Sequence, residues 1–490
     1  MLQQLGLEFT DENIQKLFGF EDAESESIER LREYYFKNET FKRVAADLPI
    51  RVLVGHKGIG KSALFKVSMA EDSEKGNLPI LIKPDDIAEI GIKDENFLLR
   101  IRQWKYGLTK IIGSKVFAEF GITDNKVINK LSNFSLKLIN YVTESVTVAN
   151  ENVNLSPTQK LLMENYLKSK KIIVYIDDLD RGWEGKKDDI SRLSALLNSV
   201  RDLASDNPGL SFKISLRSDV YFLVRTSDES TDKIEGNVVW YSWDNHEILI
   251  MLIIRILTFF NKPYSEANLR QTPQYHLGFL LDDIMEAKFQ GYGKWENKPM
   301  YKILMSLIRK RPRDLVKLCT LAAREAFKSN SNFIKTEHFQ SIFEEYSQGR
   351  IQDTINEYRT ELPLIEKLIF GMKPTKKANS TFSDSFIFTT SELRQKLTNI
   401  IQQNRFIFAN GKVATAPDLA HFLYKINFLT ARKVLEEGEI DRKYFEENRY
   451  LSSATADFGY DWEIHPAYRW ALQPDTIEDI FNRLSLSSDK

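Results

Sequence analysis

The stretch GHKGIGKS, residues 55–62, decides the fold of this chain. It follows the apolar run IRVLV at 50–54, which predicts a short buried strand, and a helical pattern begins at Lys61. Glycines allow backbone N–H groups to curl around a phosphate group, and the start of a helix adds the favourable end of its dipole. The order of strand, glycine-rich turn and helix therefore predicts a phosphate-binding loop.

The residue types in this loop suit a nucleotide bound with Mg²⁺. Lys61 is expected to reach the β- and γ-phosphates, and the Ser62 hydroxyl to ligate Mg²⁺. The alternative is a glycine turn with a solvated lysine. No base-reading motif of the GTPase kind is visible, and the motif by itself does not separate ATP from GTP. The predicted nucleotide contacts are Gly55, His56, Lys57, Gly58, Ile59, Gly60, Lys61, Ser62 and Ala63.

A second motif, VYIDDLDR at 174–181, places aspartates directly after a hydrophobic strand. Asp177 is predicted to hold the Mg²⁺ shell, and Asp178 to orient or deprotonate an attacking water. A helix N-cap or an exposed turn acid is the alternative for Asp177, and an acidic turn is the alternative for Asp178. Asp180 and Arg181 favour a turn and a salt bridge, and an arginine finger at Arg181 is the less favoured interpretation.

Two arginines complete the predicted site. Arg217 ends the apolar run FKISL and is predicted to sense the γ-phosphate, with a solvated strand-end arginine as the alternative. Arg311 and Arg313 flank Pro312, which favours the first turn of a helix and would present both arginines. We expect Arg313 to reach the nucleotide, with a surface ion pair as the alternative. The predicted catalytic residues are Asp178, Arg217 and Arg313.

The order of strand-like and helix-like segments predicts four units. Residues 1–48 read as a helical lead-in, and 49–262 as an α/β P-loop NTPase core with a parallel sheet whose ligand lies at the carboxyl ends of the strands. A helical insertion is predicted at about 86–168. Residues 263–350 read as a helical lid, and 351–490 as an α+β winged-helix-like domain with β-like pieces FIFAN, NRYLSS and YDWEIH.

Composition excludes several classes of protein. The 68 Lys and Arg against 69 Asp and Glu predict no polyanion partner from global charge. Cys319, the only cysteine, excludes internal disulfides and cysteine metal clusters, and its apolar neighbours predict burial. The apolar run at 248–260 is shorter than the roughly 20 residues of a membrane span and contains Arg255. The acidic start MLQQLGLEFTDENIQ does not resemble a signal peptide, so a cytoplasmic protein without membrane contact is predicted.

The motifs GHKGIGKS, IDDLDR at 176–181, ISLRSD at 214–219 and RPRDLVKL at 311–318 together resemble the AAA+/STAND side of the P-loop NTPases, and within it KAP-like and FunZ-type bacterial ATPases. The resemblance covers roughly residues 20–330. It implies an ATPase core, a helical lid, a winged-helix tail, ATP-dependent assembly and frequent roles in bacterial defence or signalling. The predicted insertion is soluble, whereas KAP members often carry membrane helices there. Asp178 agrees with KAP and STAND patterns and departs from the glutamate of motor AAA+ enzymes.

These observations predict a Mg²⁺-dependent, slowly hydrolysing ATPase that acts as a nucleotide-gated switch through self-assembly or an effector protein. The alternative is an origin-recognition-like DNA-binding ATPase. Residues 371–412 carry seven Lys and Arg against two acids, but the expected recognition helix APDLAHFLYKINFL, residues 416–429, offers only His421, Lys425 and Asn427 to a groove. A protein partner is therefore favoured over nucleic acid.

Overall fold

The computed structural model describes residues 7–92, 96–122, 137–152, 156–227, 231–374, 386–435, 440–449, 451 and 459–472. Two compact units divide the chain. The first, here called the α/β unit, comprises Lys37–Lys57 and Lys61–Tyr241. The second, here called the composite unit, comprises Met1–Phe36, Gly58–Gly60 and Ser242–Lys490.

The strands of the described ranges fall into a long parallel set and shorter antiparallel pieces. They are β1 (Ile50–Val54), β2 (Leu78–Ile82), β3 (Ile172–Ile176), β4 (Leu210–Leu216), β5 (Val238–Trp240), β6 (Lys288–Phe289), β7 (Lys298–Pro299), β8 (Ile387–Phe388), β9 (Leu429–Val434), β10 (Ile440–Lys443) and β11 (Asp461–Ile464).

Helices account for most of the remaining regular structure. They are α1 (Asp11–Phe18), α2 (Ile28–Tyr34), α3 (Glu39–Ala45), α4 (Lys61–Glu74), α5 (Phe97–Glu119), α6 (Leu138–Asn152), α7 (Pro157–Ser169), α8 (Lys187–Asp206), α9 (Ser218–Ser227), α10 (Asp232–Glu235), α11 (Asn245–Phe259), α12 (Glu266–Gln271), α13 (Gln274–Gly278), α14 (Met300–Leu307), α15 (Pro312–Lys328), α16 (Thr336–Tyr358), α17 (Ile365–Gly371), α18 (Thr390–Gln403), α19 (Ala416–Lys425) and α20 (Arg469–Leu472).

The α/β unit is built on a five-stranded parallel sheet in the order β2-β3-β4-β1-β5. Its strands read as continuous apolar runs because a parallel sheet is covered on both faces. β1 and β3 both pair with β4 in parallel, so the loop after β1 and the acidic turn after β3 both lie at the carboxyl ends of the strands. This arrangement confirms the predicted parallel α/β core and sets the position of the candidate site.

The predicted helical insertion consists of α5, α6 and α7, which lie between β2 and β3 in sequence. Trp104, Leu108, Ile112 and Phe117 of α5 are buried in the same apolar core as the sheet. The insertion is therefore part of the packed α/β unit.

In the composite unit, α11 carries the most apolar run of the chain, and its residues Ile248–Ile254 are all buried. Across the described ranges no helix has the length and apolarity to cross a membrane. The segment predicted as a helical lid, residues 263–350, is not helical throughout, because β6 and β7 form a small antiparallel pair within it. Two-residue strands are too short to show an alternating pattern, so the sequence gives no signal for them.

The C-terminal part of the composite unit has an antiparallel sheet in the order β10-β9-β11-β8, with α17, α18 and α19 beside it in sequence. This confirms the winged-helix-like prediction. β9 pairs with both β10 and β11, and β10, which lies between those strands in sequence, forms the edge of the sheet. Lys376 and Lys377 of the predicted basic stretch, the first six residues of the chain and half of NRYLSS (residues 450, 452 and 453) lie outside the described residues.

Candidate nucleotide-binding site

The glycine-rich loop has the backbone that phosphate binding requires. Gly58 and Gly60 have φ angles of +77° and +104°, a region that favours glycine. The Lys61 ammonium donates hydrogen bonds to the carbonyl oxygens of Gly55 at 2.9 Å and His56 at 3.1 Å. Helix α4 begins at Lys61, and Ser62 in its first turn is exposed. A loop folded around an ammonium group at a helix start fits a bound polyphosphate.

The start of the loop is anchored to the end of β4. The Gly55 N–H donates to the Leu216 carbonyl at 3.1 Å. The buried His56 ring places Nδ1 3.1 Å from the Ser218 hydroxyl. The sequence predicted His56 only as one member of the loop, and Ser218 was missed because its partner is distant in sequence.

The middle of the loop, Gly58–Gly60, belongs to the composite unit. The Ile59 carbonyl accepts a hydrogen bond from Trp243 Nε1 at 2.9 Å, and the Gly58 carbonyl accepts one from the Arg313 N–H at 3.3 Å. A Cβ atom added at Gly58 would lie 3.2 Å from Arg313 Cβ, in addition to the strain of its positive φ. Sequence reasoning missed Trp243, although the segment after β5 stood out for its tryptophans.

The acidic turn after β3 orients one carboxylate and exposes the other. Asp177 Oδ1 accepts hydrogen bonds from the Asp178 N–H at 2.9 Å and from the Ser215 hydroxyl. Asp178 is exposed and has a φ of +58°, and its carbonyl accepts from the Arg181 N–H at 3.0 Å. Ser215, on β4, is a positioning residue that the sequence analysis did not identify. Its signal is a polar side chain within a buried strand.

Ser62 and Asp177 are too few to fill the coordination shell of a metal bound by protein alone, but they suit Mg²⁺ bound together with a nucleotide. A serine hydroxyl and one aspartate supply the hard oxygen ligands that Mg²⁺ prefers, and Mg²⁺ commonly keeps waters and substrate phosphates as its other ligands. In the part of the chain that the structure describes, no group of three or more His, Cys, Asp or Glu residues could hold a metal ion. Ser62 and Asp177 remain the residues we expect to hold Mg²⁺.

Arg217 is not a solvated strand-end residue. It is 7% exposed, and its guanidinium donates to both carboxylate oxygens of Asp219, at 3.0 and 2.6 Å. Asp180 lies 3.5 Å away as a second ion-pair partner, which agrees with the salt bridge predicted for Asp180. Because two carboxylates hold the arginine at the strand end, sensing of a γ-phosphate by Arg217 remains a prediction.

The two arginines around Pro312 differ in their surroundings. Arg311 is 3% exposed and lies 3.7 Å from Glu357, so the expectation that both arginines project from the helix start is wrong for Arg311. Arg313 is partly exposed, and its Nε donates to the Glu21 carbonyl at 3.0 Å. Against the effect of burial, the positive charge of Arg313 also helps to lower the pKa of Asp22. Contact of Arg313 with the nucleotide remains a prediction. Glu21 was missed, although its acidic stretch FEDAES was visible.

The candidate groove-reading residues around α19 are occupied within the composite unit. Lys425 is buried and forms an ion pair with Glu361. Asn427 is buried and accepts from the Phe445 N–H at 3.3 Å. The His421 ring packs against the Phe445 ring at 5.9 Å. The three side chains predicted to face a DNA groove therefore make contacts within the composite unit: an ion pair, a hydrogen bond and a ring contact.

Comparisons with known proteins do not define a family for this chain. No protein-family model matches it. The chain is 21% identical to the transposon gamma-delta 80.3 kDa protein of Escherichia coli K12, over 94% of this chain and 69% of that protein. Among solved structures it is similar to the Walker-type ATPase PABY2304 of Pyrococcus abyssi (TM-score 0.42, 13% identity, 89% of this chain and 95% of that one). It is also similar to the ORC2 protein of Aeropyrum pernix in ADPNP and ADP complexes (TM-score 0.41, 12% identity, 89% and 92%).

Proposed function

We propose that this chain is a Mg²⁺-dependent ATP-binding protein that hydrolyses ATP slowly and acts as a nucleotide-gated switch. The observation that carries the proposal is the loop between β1 and α4, which combines two positive-φ glycines with a lysine folded toward its carbonyl groups. Mg²⁺ would be held by Ser62 and Asp177 and would neutralise charge on the phosphates. Asp178 would orient the attacking water.

Slow hydrolysis is proposed from the length of the second acid. Asp178 is one methylene shorter than the glutamate used at the corresponding place by motor AAA+ enzymes, so it must approach the water more closely. The Asp178 side chain is exposed, and its backbone lies in the left-handed region. Its distance to the attacking water is therefore set when ATP binds. We expect Asp178→Asn to abolish phosphate release with little change in ATP affinity, and Asp178→Glu to increase the rate.

The first experiment is a measurement of ATP affinity and phosphate release with Mg²⁺ for the wild type and Lys61→Ala. We expect Lys61→Ala to lose affinity at least tenfold, because the ammonium contacts two phosphates. An exposed lysine in α5, Lys110, provides the matched control Lys110→Ala. Absence of phosphate release together with an unchanged affinity in Lys61→Ala would contradict the proposal.

The switch would act through self-assembly or an effector protein, and the resemblance to KAP-like and FunZ-type ATPases supports a role in bacterial defence or signalling. Size measurement of the protein with ATP, ADP and a non-hydrolysable ATP analogue tests gated assembly directly. We expect a larger species with ATP and the analogue than with ADP. One size in all three states would reject self-assembly and leave effector recruitment as the output.

A second candidate function is DNA binding, and α18 rather than α19 favours it. The exposed face of α18 carries uncharged polar side chains and arginine, the residue types that read base edges. Around this helix, Lys373, Arg394, Lys396, Arg405 and Lys412 are accompanied by one acid, Glu392, among the described residues of 371–412. The exposed side chains on the α18 face are Ser391, Arg394, Gln395, Thr398, Asn399, Gln402 and Gln403.

Duplex binding by fluorescence anisotropy, with and without ATP, tests this second candidate. We expect the double variant Arg394→Glu/Arg405→Glu to weaken binding about tenfold or more and to reduce its dependence on salt between about 50 and 200 mM. The control Arg102→Glu/Lys110→Glu makes the same charge change on exposed positions of α5. Equal losses in both double variants, or no measurable affinity in the wild type, would remove DNA binding from consideration.

A further inference from the structure

The position of Arg313 depends on where α15 begins. Its backbone N–H bonds to the Gly58 carbonyl and its Nε to the Glu21 carbonyl. Lys317, one turn later, pairs with the Glu21 carboxylate at 2.9 Å. Pro312 fixes the first helical residue, so a shift of the helix start would move Arg313 away from the loop.

A buried carboxylate holds this helix start. Asp314 is 1% exposed and accepts from Arg309 at three donors: Nε at 2.7 Å, Nη2 at 2.9 Å and the backbone N–H at 3.3 Å. Arg350 of α16 donates to the same carboxylate at 2.6 Å. The charges of Arg309 and Arg350 outweigh burial and keep the pKa of Asp314 far below its usual range. The two arginines therefore favour the ionised form of Asp314.

The cluster extends to the C-terminal part of the chain. The Tyr468 hydroxyl accepts from Arg309 Nη1 at 2.7 Å and lies 3.1 Å from the Thr354 hydroxyl of α16. The same turn continues into α20, where the Ala471 N–H donates to the Ser347 hydroxyl at 3.0 Å. Trp470 packs against Phe343 with a ring-centroid distance of 4.7 Å. The segment Pro466–Leu472 is thus seated on α16 beside the arginine that Asp314 binds.

We propose that Asp314, Arg309 and Tyr468 are positioning residues for Arg313, and that Pro466–Leu472 braces the helix start that presents this arginine to the nucleotide. The inference rests on the proposed nucleotide site, and it assigns the winged-helix-like domain a role in that site. A protein partner that displaced Pro466–Leu472 from α16 would remove the Tyr468 hydroxyl from Arg309. The helix start would loosen, and discrimination of ATP from ADP through Arg313 would fall.

The test is the ratio of ATP to ADP affinity in the full-length protein with Mg²⁺. Arg313→Ala defines the full loss, because Arg313 is proposed to contact the phosphate that ADP lacks. Tyr468→Phe keeps the ring and removes the hydroxyl that bonds to Arg309 and Thr354. The bond to Arg309 is the one that acts on the helix start, so we expect the ratio to fall about threefold to tenfold, the range of one hydrogen bond. In Arg313→Ala/Tyr468→Phe we expect no further fall, since both changes act through the same arginine.

Tyr424→Phe is the matched control. Tyr424 is also buried in the C-terminal domain, and its hydroxyl donates to the carbonyls of Tyr444 and Asn448 at 3.0 Å, away from the arginine cluster. A purely structural effect would lower thermal stability and the ATP to ADP ratio similarly in both variants.

Three results overturn the inference while leaving the proposed function intact: equal ratios in wild type and Tyr468→Phe, an equal fall in Tyr424→Phe, or a full additional fall in the Arg313→Ala background. A wild type that binds neither nucleotide overturns the inference together with the proposed function.

Discussion

The α/β unit and the composite unit each bury a charged cluster against a helix that carries candidate nucleotide-site residues. In the α/β unit, Lys213 of β4 bonds to Asp72 of α4 at 2.9 Å, to Ser68 at 3.1 Å and to the Tyr175 hydroxyl at 2.9 Å. In the composite unit, Asp314 of α15 lies between two arginines, and Tyr468 extends the cluster. The first helix carries Lys61 and Ser62, and the second carries Arg313.

The difference lies in how each cluster balances its charge. Asp72 has a lysine and a tyrosine hydroxyl as donors, so it keeps a donor when the lysine is removed. Arg309 and Arg350 share the Asp314 carboxylate, and Arg350 also pairs with the exposed Asp353 at 2.9 Å, so removing Asp314 takes the ion pair from the buried Arg309. We infer that α4 is held by strands β3 and β4, which are distant in sequence, whereas α15 is held by the nearby Arg309 and by Arg350 of α16.

The largest effect is expected from Asp314→Asn. Loss of the charge removes the ion pair of the buried Arg309 and leaves Arg350 with the exposed Asp353, which should lower the free energy of unfolding by about 3–5 kcal/mol. Thermal unfolding of the purified protein measures the loss. The triple variant Arg309→Met/Asp314→Leu/Arg350→Met should recover much of that stability. If Asp314→Asn were as stable as the wild type, the composite cluster would not differ from its counterpart.

Lys213→Met should have a smaller effect, about 2 kcal/mol on the free energy of unfolding, because Asp72 keeps the hydrogen bond from Tyr175. Burial lowers the pKa of Lys213, so the native protein already holds this ammonium at a cost. The double variant Lys213→Met/Asp72→Leu should regain part of the loss. A destabilisation equal to that of Asp314→Asn would break the comparison.

The pH dependence should separate His421 from the Asp314 cluster. Burial, with Lys425 and Lys412 nearby and Asp418 opposing them, lowers the pKa of His421 to about 4. Between its unfolded value of about 6.5 and pH 4.5, the unfolded chain gains a proton that the native chain resists, so stability should fall by about 2 kcal/mol.

Thermal unfolding of His421→Gln between pH 7 and 4.5 should show a weaker fall with acid than the wild type. His276→Gln, at an exposed position, is the control. Asp314 remains ionised over this range, so its cluster should add no slope. An unchanged acid response in His421→Gln would exclude this histidine as a source. Burial also lowers the pKa of His465, so this histidine should likewise make the protein less stable in acid.

The smallest change is Gly58→Ala, whose effect should concentrate on nucleotide binding. The added methyl group meets Arg313 at 3.2 Å on a backbone with φ +77°, so we expect ATP affinity to fall about tenfold, or about 1.4 kcal/mol. Gly411→Ala is the matched control, with φ +84° and open space around the added atom. Calorimetric titration of both variants should separate backbone strain from the contact with Arg313. Equal losses of ATP affinity would show that the effect is not specific to the phosphate-binding loop.

Much of the α/β fold could be predicted from local signals. The continuous apolar strands, the glycine-rich loop and Asp177 at a strand end can each be recognised from neighbouring residues. In the structure, the loop and Asp177 both follow the carboxyl ends of strands in one parallel sheet. Ser215 and Lys213 gave only a weak signal as polar positions in a buried strand. The sequence around Trp243 and Glu21 contained no signal that identified their partners, because each bonds to a residue far away in sequence.

The sequence by itself determined the phosphate-binding loop, the order of the strands along the chain and the candidate metal ligands, because these depend on local spacing and on strand periodicity. Only the tertiary structure decided that Arg311 is buried while Arg313 bonds to Gly58, and that α19 packs inward while α18 presents a polar face. It also decided that Tyr468 completes the Arg309 cluster. Burial and charge compensation depend on which distant segments meet, and no local pattern contains that information.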